Sequence, residues 1–284
     1  MGVASFSGIF VALSGAGAFT AAFFRAAYAL PPLAVLALVR RAPSRSRRSR
    51  VLAFSAGLLL GVELAFFHAA IGDIGAGPAA VLAQTQVLFV GLLAWAFHGE
   101  RPRLWALAAV PVAAAGIVLL GGAGDVGAAF GDHPGRGAVF GLASGLVFAV
   151  FLLVMRAGSP RDSSPVGPLL DATAGAALSS LVLGVATGNF DPGVGWEGHG
   201  WLLLLALGVQ VVAWLAFTYV LPRLPALDLS AIILLHPMIS TFWAWWILDE
   251  TLSALQLTGA ALVVVAVGLV NVRPRAGPRL RTIA

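Results

Sequence analysis

The sequence predicts an all-α integral membrane protein of about ten transmembrane helices, arranged as two inverted repeats of five, with a short first helix. Composition is the first observation: 60% of the 284 residues are hydrophobic, 10% are charged, and the mean hydropathy is +0.95. A soluble domain carries about 25% charged residues. The second observation is a series of apolar runs of spanning length. The third is that arginines return after every second run.

Short polar connections divide the chain into ten apolar runs. They lie at residues 3–13, 18–39, 51–70, 79–97, 104–121, 137–155, 166–188, 201–221, 229–247 and 255–272. A spanning helix needs about 20 mostly apolar residues, so only the first run is too short. Even as one continuous helix, residues 1–39 would reach only about 58 Å, barely two crossings of ~30 Å. We expect the chain to begin partway through its first helix. The alternative is a genuine half-span packed against its neighbours.

All seventeen cations are arginines, and their distribution predicts the topology. Fifteen lie in clusters separated by two runs each, at residues 40–50, 101–103, 156–161, 223 and 273–281. Cytoplasmic loops accumulate Lys and Arg, so the clusters mark the cytoplasmic side and place both termini there. Arg25 and Arg136 are the exceptions. Arg25 falls inside a span, and we expect Arg136 to be a lone charge in the longest outer loop, balanced by nearby acids.

The two halves of the chain resemble each other at a shift of 150 residues. Residues 67–100 align without a gap with residues 217–250, and both stretches contain Ala-Trp followed five residues later by Glu. Five spans per half is an odd number, so the second copy must insert upside down relative to the first. We therefore predict a first repeat at 1–122, a second, inverted repeat at 137–272, and a basic cytoplasmic tail at 273–284. Inverted repeats are common in secondary transporters, which bind substrate near mid-membrane.

Three polar side chains fall at one predicted depth inside the membrane. Arg25, Glu63 and Gln86 each lie seven residues in from the outer end of a span, which is roughly 10 Å. Ionisable groups inside spans are costly and usually face a cavity or a partner. One interpretation is a cavity in which Glu63 titrates and couples transport to protons, while Arg25 binds an anionic group of the substrate. The other is a static Arg25–Glu63 pair that braces two helices.

The second half contributes further candidates for the cavity. His236 is the repeat equivalent of Gln86, and Pro237 after it can kink the helix and free a carbonyl group. A neutral, packed histidine is the alternative for His236. Gln210 and Trp214 lie in the eighth run and are also candidates for the cavity.

Other polar residues near span ends have simpler interpretations. Tyr219 is expected to anchor the membrane interface, as aromatic residues do near span ends. His68 is expected to be interfacial. Asp171 and Asp228 are expected to cap helices.

Several function classes lack support in the sequence. Residues 122–127 match the glycine pattern of dinucleotide-binding proteins, but they follow an apolar span rather than a strand. The sequence contains no P-loop, no HExxH motif and no cysteine. We therefore expect no cofactor, no metal and no ATP hydrolysis. A net charge of +5 could suggest nucleic acid, but the arginines flank apolar runs. They are better explained by attraction to an anionic lipid surface.

The chain resembles the EamA type of the drug/metabolite transporter superfamily over nearly its whole length. The resemblance rests on residues 99–102 (Gly-Glu-Arg-Pro) after the fourth span, 249–250 (Asp-Glu) after the ninth, the Ala-Trp pairs, Arg25 and Pro237. It implies a multi-pass carrier of the bacterial inner membrane, often an exporter of amino acids or other small metabolites. The chain departs from the family in its short first span, and in His236, where relatives often have Glu or Gln.

Three functional hypotheses follow. The leading one is a secondary transporter, not an enzyme, that exports a small metabolite such as an amino acid by alternating access. The partners would be a small-molecule substrate and the lipid bilayer. The alternative is an integral-membrane enzyme acting on a lipid-linked substrate, which would need acids and histidines clustered at one interface. The third is a non-transporting relic or truncated product.

Overall fold

The computed structural model describes residues 6–40, 45–74, 82–83, 85–98, 133–160 and 164–224, with scattered positions in 108–119 and 254–266. Every regular element in these ranges is a helix. The elements are α1 (Ser7–Ser14), α2 (Ala18–Val39), α3 (Arg47–Ile74), α4 (Gln86–His98), α5 (Pro134–Gly158), α6 (Val166–Ala186), α7 (Trp196–Leu204), a π-helix (Leu205–Ala213) and α8 (Trp214–Val220). The last three are consecutive and form one long helix.

Five helices of the described part are long and apolar enough to cross a membrane. They span Ala18–Val39, Arg47–Ala70, Gly135–Gly158, Val166–Ala186 and Trp196–Val220. Each coincides with one of the predicted runs, and the predicted all-α membrane class is confirmed. Helix α2 has the predicted bounds. Helix α3 is longer than its apolar run because the helix continues through the arginines before Val51.

The first apolar run contains the short helix α1, which packs against α7. The rings of Phe10 and Trp201 stack with centroids 6.0 Å apart. Near the end of α1, the carbonyl oxygen of Ser14 approaches Gly198 so closely that a Cβ there would lie 2.5 Å from it. At eight residues, α1 is about 12 Å long, too short to cross the membrane alone.

Contacts along the helices establish their directions. Helices α3 and α5 are antiparallel, since Ser49 bonds the Gly158 carbonyl at one end while Asp73 bonds Arg136 at the other. Helices α2 and α6 are also antiparallel, because Leu33 packs on Leu169 whereas the hydroxyl of Thr20 accepts a hydrogen bond from the Asp191 amide. We call the end with Arg45 and Gly158 the arginine-rich end, and the end with Asp73 and Asp191 the acidic end.

These directions have a consequence for the repeats. Helices α2 and α6 are the second spans of the first and second halves, and they run in opposite directions. The third spans are α3 and the long helix from α7 to α8. They too are opposed, because α3 runs toward the acidic end and α7 starts beside Ser14 near that end. The helices at equivalent positions are therefore inverted, as the odd number of spans per half predicts.

Helices α3 and α6 approach each other almost backbone to backbone. A Cβ on Gly57 would lie 1.9 Å from the Ala172 carbonyl oxygen, and one on Gly175 would lie 2.2 Å from the Phe54 carbonyl oxygen. Gly61, one turn after Gly57, likewise admits the Ser179 hydroxyl. Small residues four apart permit such contacts between membrane helices, where dispersion forces replace the hydrophobic effect. The main apolar core, with Ala53, Phe151 and Met155, packs beside this contact.

Two expectations about charged residues are wrong. Asp171 does not cap α6, whose N-cap residue is Pro165. Its carboxylate instead pairs with Arg45 and, at 4.0 Å, with Arg50. The expectation failed because the helix begins five residues before Asp171, so the side chain lies beyond the first turn.

Arg136 is not a lone charge in a loop, although a nearby acid does balance it as expected. It lies in the first turn of α5, and its Nε and Nη2 donate to the two carboxylate oxygens of Asp73 at 2.8 and 2.6 Å. Proline favours the first turn of a helix, so α5 starts at Pro134 rather than at the first apolar residue. The paired groups join the acidic ends of α3 and α5.

Substituting Gly57 by alanine is expected to destabilise the protein. The added Cβ would collide with backbone atoms that cannot rotate away, and such overpacking costs about 1–3 kcal/mol. Thermal unfolding of the purified protein in detergent would measure the loss. Gly200→Ala is the matched control, because a Cβ at this helical position meets nothing within 4 Å. Equal melting temperatures for the two variants would contradict the close contact.

The Asp73–Arg136 pair is expected to make stability depend on pH. The hydrogen-bonded Arg136 guanidinium holds the pKa of the Asp73 carboxyl below its ordinary value, although partial burial opposes this. Because the folded pKa lies below the unfolded one, the pair stabilises the fold above about pH 4 and this contribution is lost as the pH falls through the folded pKa.

Asp73→Asn should therefore melt below the unmodified protein at about pH 7 and approach it at about pH 3. Glu197→Gln, which removes an exposed acid from the first turn of α7, serves as the control. A difference for Asp73→Asn that is constant across this range would contradict the assignment.

Candidate functional site

Arg25 projects from α2 into the bundle and binds side chains of the second half of the chain. Its Nε donates to Oε1 of Gln210 at 2.8 Å, and Nε2 of Gln210 donates to the Thr173 hydroxyl at 3.0 Å. Gln210 is 3% exposed and Thr173 is fully buried. This Arg25–Gln210–Thr173 chain links α2, the π-helix and α6 through the interior.

Gln210 lies in the π-helix, a widened stretch whose last hydrogen bond joins the Trp214 amide to the Val209 carbonyl, five residues back. Such stretches are rare and often occur at functional sites. Trp214, directly after it, packs edge-on against Phe151 and Phe217, with ring centroids 5.6 and 5.1 Å away. Gln210 and Trp214, the two cavity candidates predicted in the eighth run, therefore both face the bundle interior.

Glu63 is buried on α3 and accepts a hydrogen bond from the Ser144 hydroxyl of α5 at 2.8 Å. Its charge interacts with that of Arg25. The ion pairs of the described residues join Asp171 to Arg45 and Arg50, and Asp73 to Arg136; none joins Arg25 to Glu63. The predicted bracing pair is thus not formed in this structure. Each group is instead hydrogen-bonded to a neutral side chain.

Gln86 is the first residue of α4. Its backbone lies against α5 next to Gly145, which follows Ser144, the hydrogen-bond partner of Glu63. Gly145 permits this approach, since a Cβ there would lie 3.1 Å from the backbone nitrogen of Gln86. We call Arg25, Glu63, Ser144, Thr173 and Gln210 the interior polar cluster. His236 and Pro237 lie outside the described residues.

Ser144 and Thr173 were missed by the sequence reasoning, although a signal was available. Ser144 lies seven residues in from the outer end of the run 137–155, the same count that singled out Glu63. Thr173 lies seven residues in from the start of the run 166–188. A hydroxyl side chain costs little free energy to bury in a membrane and is not ionisable. A search for ionisable groups inside spans therefore does not find it.

An aromatic group adjoins Arg25 on α2. The Tyr28 hydroxyl hydrogen-bonds Nδ1 of His199 at 2.9 Å, and the Phe24 ring meets the His199 ring edge-on at 4.8 Å. Phe190 packs on Phe24 from the α6–α7 connection. Sequence reasoning did not single out His199, because it lies in an outer connection in the predicted topology.

His68 lies among aromatic side chains near the acidic end of α3. The His68 ring packs between Phe19 and Phe67, with centroids 5.7 and 5.8 Å away, at the acidic end of α3. Over the ranges that the structure describes, no group of three His, Asp or Glu side chains is placed to hold a metal ion. The side chains of the interior polar cluster offer charge, hydrogen bonding and, at Glu63, a carboxyl that can bind a proton.

Comparison with known proteins gives three results. The model of the EamA-like transporter family matches residues 2–122 and 135–272, one match in each half. "Uncharacterized transporter YvbV" of Bacillus subtilis (strain 168) is 26% identical over 223 residues, which cover 77% of this chain and 71% of that protein. A solved crystal structure covers 95% of this chain and 92% of its own, with 17% identity and a TM-score of 0.77. The last result concerns the fold alone.

Replacing Gln210 by methionine is expected to lower stability more than replacing Thr173 by valine. Methionine keeps the volume but removes the acceptor of a charged donor, which costs about 1.5–3 kcal/mol. Thr173→Val breaks a neutral hydrogen bond worth about 0.5–1.5 kcal/mol. Reversible unfolding in mixed micelles would measure both changes. Gln210→Glu, which retains an acceptor, should lose less than Gln210→Met, and the opposite order would contradict the bond to Arg25.

Proposed function

Because this chain belongs to the EamA-like transporter family, we propose that it is a secondary transporter that exports a small zwitterionic metabolite, such as an amino acid, by alternating access. The curated relative in Bacillus subtilis is likewise named a transporter. Family and relative together favour transport over catalysis on a lipid-linked substrate. The substrate class, the direction and the coupling belong to this proposal.

One observation carries the proposal: two opposite charges of the first repeat, a buried Glu63 and a partly buried Arg25, are each hydrogen-bonded to a neutral side chain of the second. Arg25 binds Gln210, and Glu63 binds Ser144. A direct ion pair would offset part of the cost of burying two charges in a membrane protein. Neutral partners leave both groups able to bind an opposite charge that arrives with a ligand.

This arrangement suits a molecule that carries both signs. A carboxylate can accept bidentate hydrogen bonds from the Arg25 guanidinium, while an ammonium group can donate to Glu63. The aromatic group of Phe24, Tyr28 and His199 beside Arg25 offers a surface for the apolar part of such a molecule. A metabolite with a carboxylate, an amine and an apolar side chain matches these features.

The same contacts support alternating access. Both hydrogen bonds connect helices of the first repeat with helices of the second, so rocking of one repeat against the other would break them and expose the charges. Glu63 is the candidate for proton coupling, since a carboxyl that binds a proton on one side and releases it on the other can drive export. Ser144 can turn its hydroxyl to suit either form of that carboxyl.

The location and orientation also form part of the proposal. The bacterial inner membrane is implied by the family resemblance. Arginines concentrate at one end of the described bundle, where Arg45, Arg47, Arg48, Arg50 and Arg156 lie. By the positive-inside rule this end faces the cytoplasm, together with both termini.

Transport measurements with Glu63→Gln test the proposal. A resistance screen with toxic amino-acid analogues in cells expressing the chain would first select a substrate, and uptake into inside-out vesicles would then be measured with and without a proton gradient. We expect Glu63→Gln to lower uptake at least about tenfold and to abolish its dependence on the gradient, because the variant cannot exchange a proton.

Glu197→Gln is the matched control, since it makes the same change at an exposed acid of α7. It should leave uptake unchanged. Amino acids and analogues that move no faster than in empty liposomes under any gradient would rule out this substrate class. Uptake that stays gradient-driven in Glu63→Gln would remove Glu63 from the coupling step.

A further inference from the structure

A cleft of about 420 Å³ opens at the arginine-rich end, and none of its lining residues belongs to the interior polar cluster. It lies between the α2–α3 connection, the first turns of α3 and the start of α6. Its lining residues are Arg45, Arg47, Arg50, Val51, Phe54 and Asp171. Three guanidinium groups face one carboxylate, so the lining is cationic.

Arg45 is built into this cleft rather than lying loose on the surface. Its side chain is only 10% exposed, and its Nη2 pairs with the Asp171 carboxylate. Gly167 makes room for it, since a Cβ at this position would lie 2.7 Å from the Arg45 Nε. The other terminal nitrogen, Nη1, is buried and has no hydrogen-bond acceptor among the described residues.

A buried charged donor without an acceptor is costly, and native proteins rarely retain one unless something outside the chain satisfies it. Asp171 neutralises at most one of the three arginines, and Arg50 lies 4.0 Å from the same carboxylate oxygen. The cleft therefore combines a fixed donor with two positive charges in excess. That combination favours a compact anion with several acceptor oxygens.

We propose that this cleft is a binding site for a phosphate group. Arginine forks match phosphate oxygens bidentately, and a phosphate can accept from Arg45 Nη1 while Arg47 and Arg50 close over it. Val51 and Phe54 form an apolar wall beside the arginines, and Val51 is 54% exposed on the outside of α3. An anionic phospholipid headgroup and a soluble phosphate share the chemistry that the arginines recognise. The apolar wall favours the lipid, whose acyl chains it can contact.

The test compares two neighbouring arginines of α3. Arg47 and Arg48 are both exposed, and Arg47 lines the cleft whereas Arg48 is not among its lining residues. The unmodified protein, Arg47→Gln and Arg48→Gln would be purified and titrated with short-chain phosphatidylglycerol in neutral detergent, with melting temperature as the readout. In a second arm, inorganic phosphate would replace the lipid at matched ionic strength.

We expect phosphatidylglycerol to raise the melting temperature of the unmodified protein. Arg47→Gln should bind about tenfold more weakly, as loss of one charge-assisted contact implies, and Arg48→Gln should bind as the unmodified protein does. Arg45→Gln should abolish the shift, with Arg47→Gln remaining informative if Arg45→Gln does not fold. A shift from inorganic phosphate alone would support the site and assign it to a soluble phosphate. No shift with either probe, or equal weakening by Arg47→Gln and Arg48→Gln, would overturn the proposal.

Discussion

The contact between α3 and α6 is the constraint on which the rest of the described bundle depends. In a bilayer, helices gain little by hiding apolar surface from lipid, so association relies on close packing. Gly57 and Gly175 bring the two backbones together to a distance that no side chain would allow. Helix α3 carries Glu63 and pairs through Ser49 and Asp73 with both ends of α5. Helix α6 carries Thr173 and Asp171. The interior polar cluster and the arginine-lined cleft are thus both positioned by one glycine contact.

Arg25 and Glu63 illustrate how a membrane protein can hold two opposite charges near each other without forming an ion pair between them. Arg25 and Glu63 are close enough to interact, yet each is hydrogen-bonded to an uncharged side chain from the other half. Breaking a hydrogen bond between a charged and an uncharged side chain costs about 1.5–3 kcal/mol, less than the roughly 3–5 kcal/mol for breaking a buried ion pair. At the acidic end, by contrast, two opposite charges do form a direct ion pair. Asp73 and Arg136 form a bidentate pair there, where water is near and where the pair fastens two helix ends.

The helices could be predicted from the sequence far better than their contacts. Polar residues and glycines bound the run 18–39 on both sides, so the bounds of α2 follow from composition. Arg25, Glu63 and Gln86 could be found because charged and amide groups stand out in apolar sequence. Their partners could not, because a hydrogen bond such as Arg25–Gln210 depends on how each helix is rotated about its axis. Asp171 shows the same limit, since a cap and an ion pair need the same residue type near a helix start.

The π-helix could not have been predicted either, and it has a mechanical consequence. A π turn holds about one residue more than an α turn, and one residue corresponds to roughly 100° of rotation about an α-helix axis. The stretch Leu205–Ala213 therefore contains surplus chain between α7 and α8. If the extra residue of the π turn moved to another position along the helix, the residues between its old and new positions would rotate about the helix axis by that angle. Both ends of the helix would stay in place. Gln210 lies within this stretch and Trp214 directly after it. Rotation of the helix about its axis at this point would therefore move the side chain that contacts Arg25.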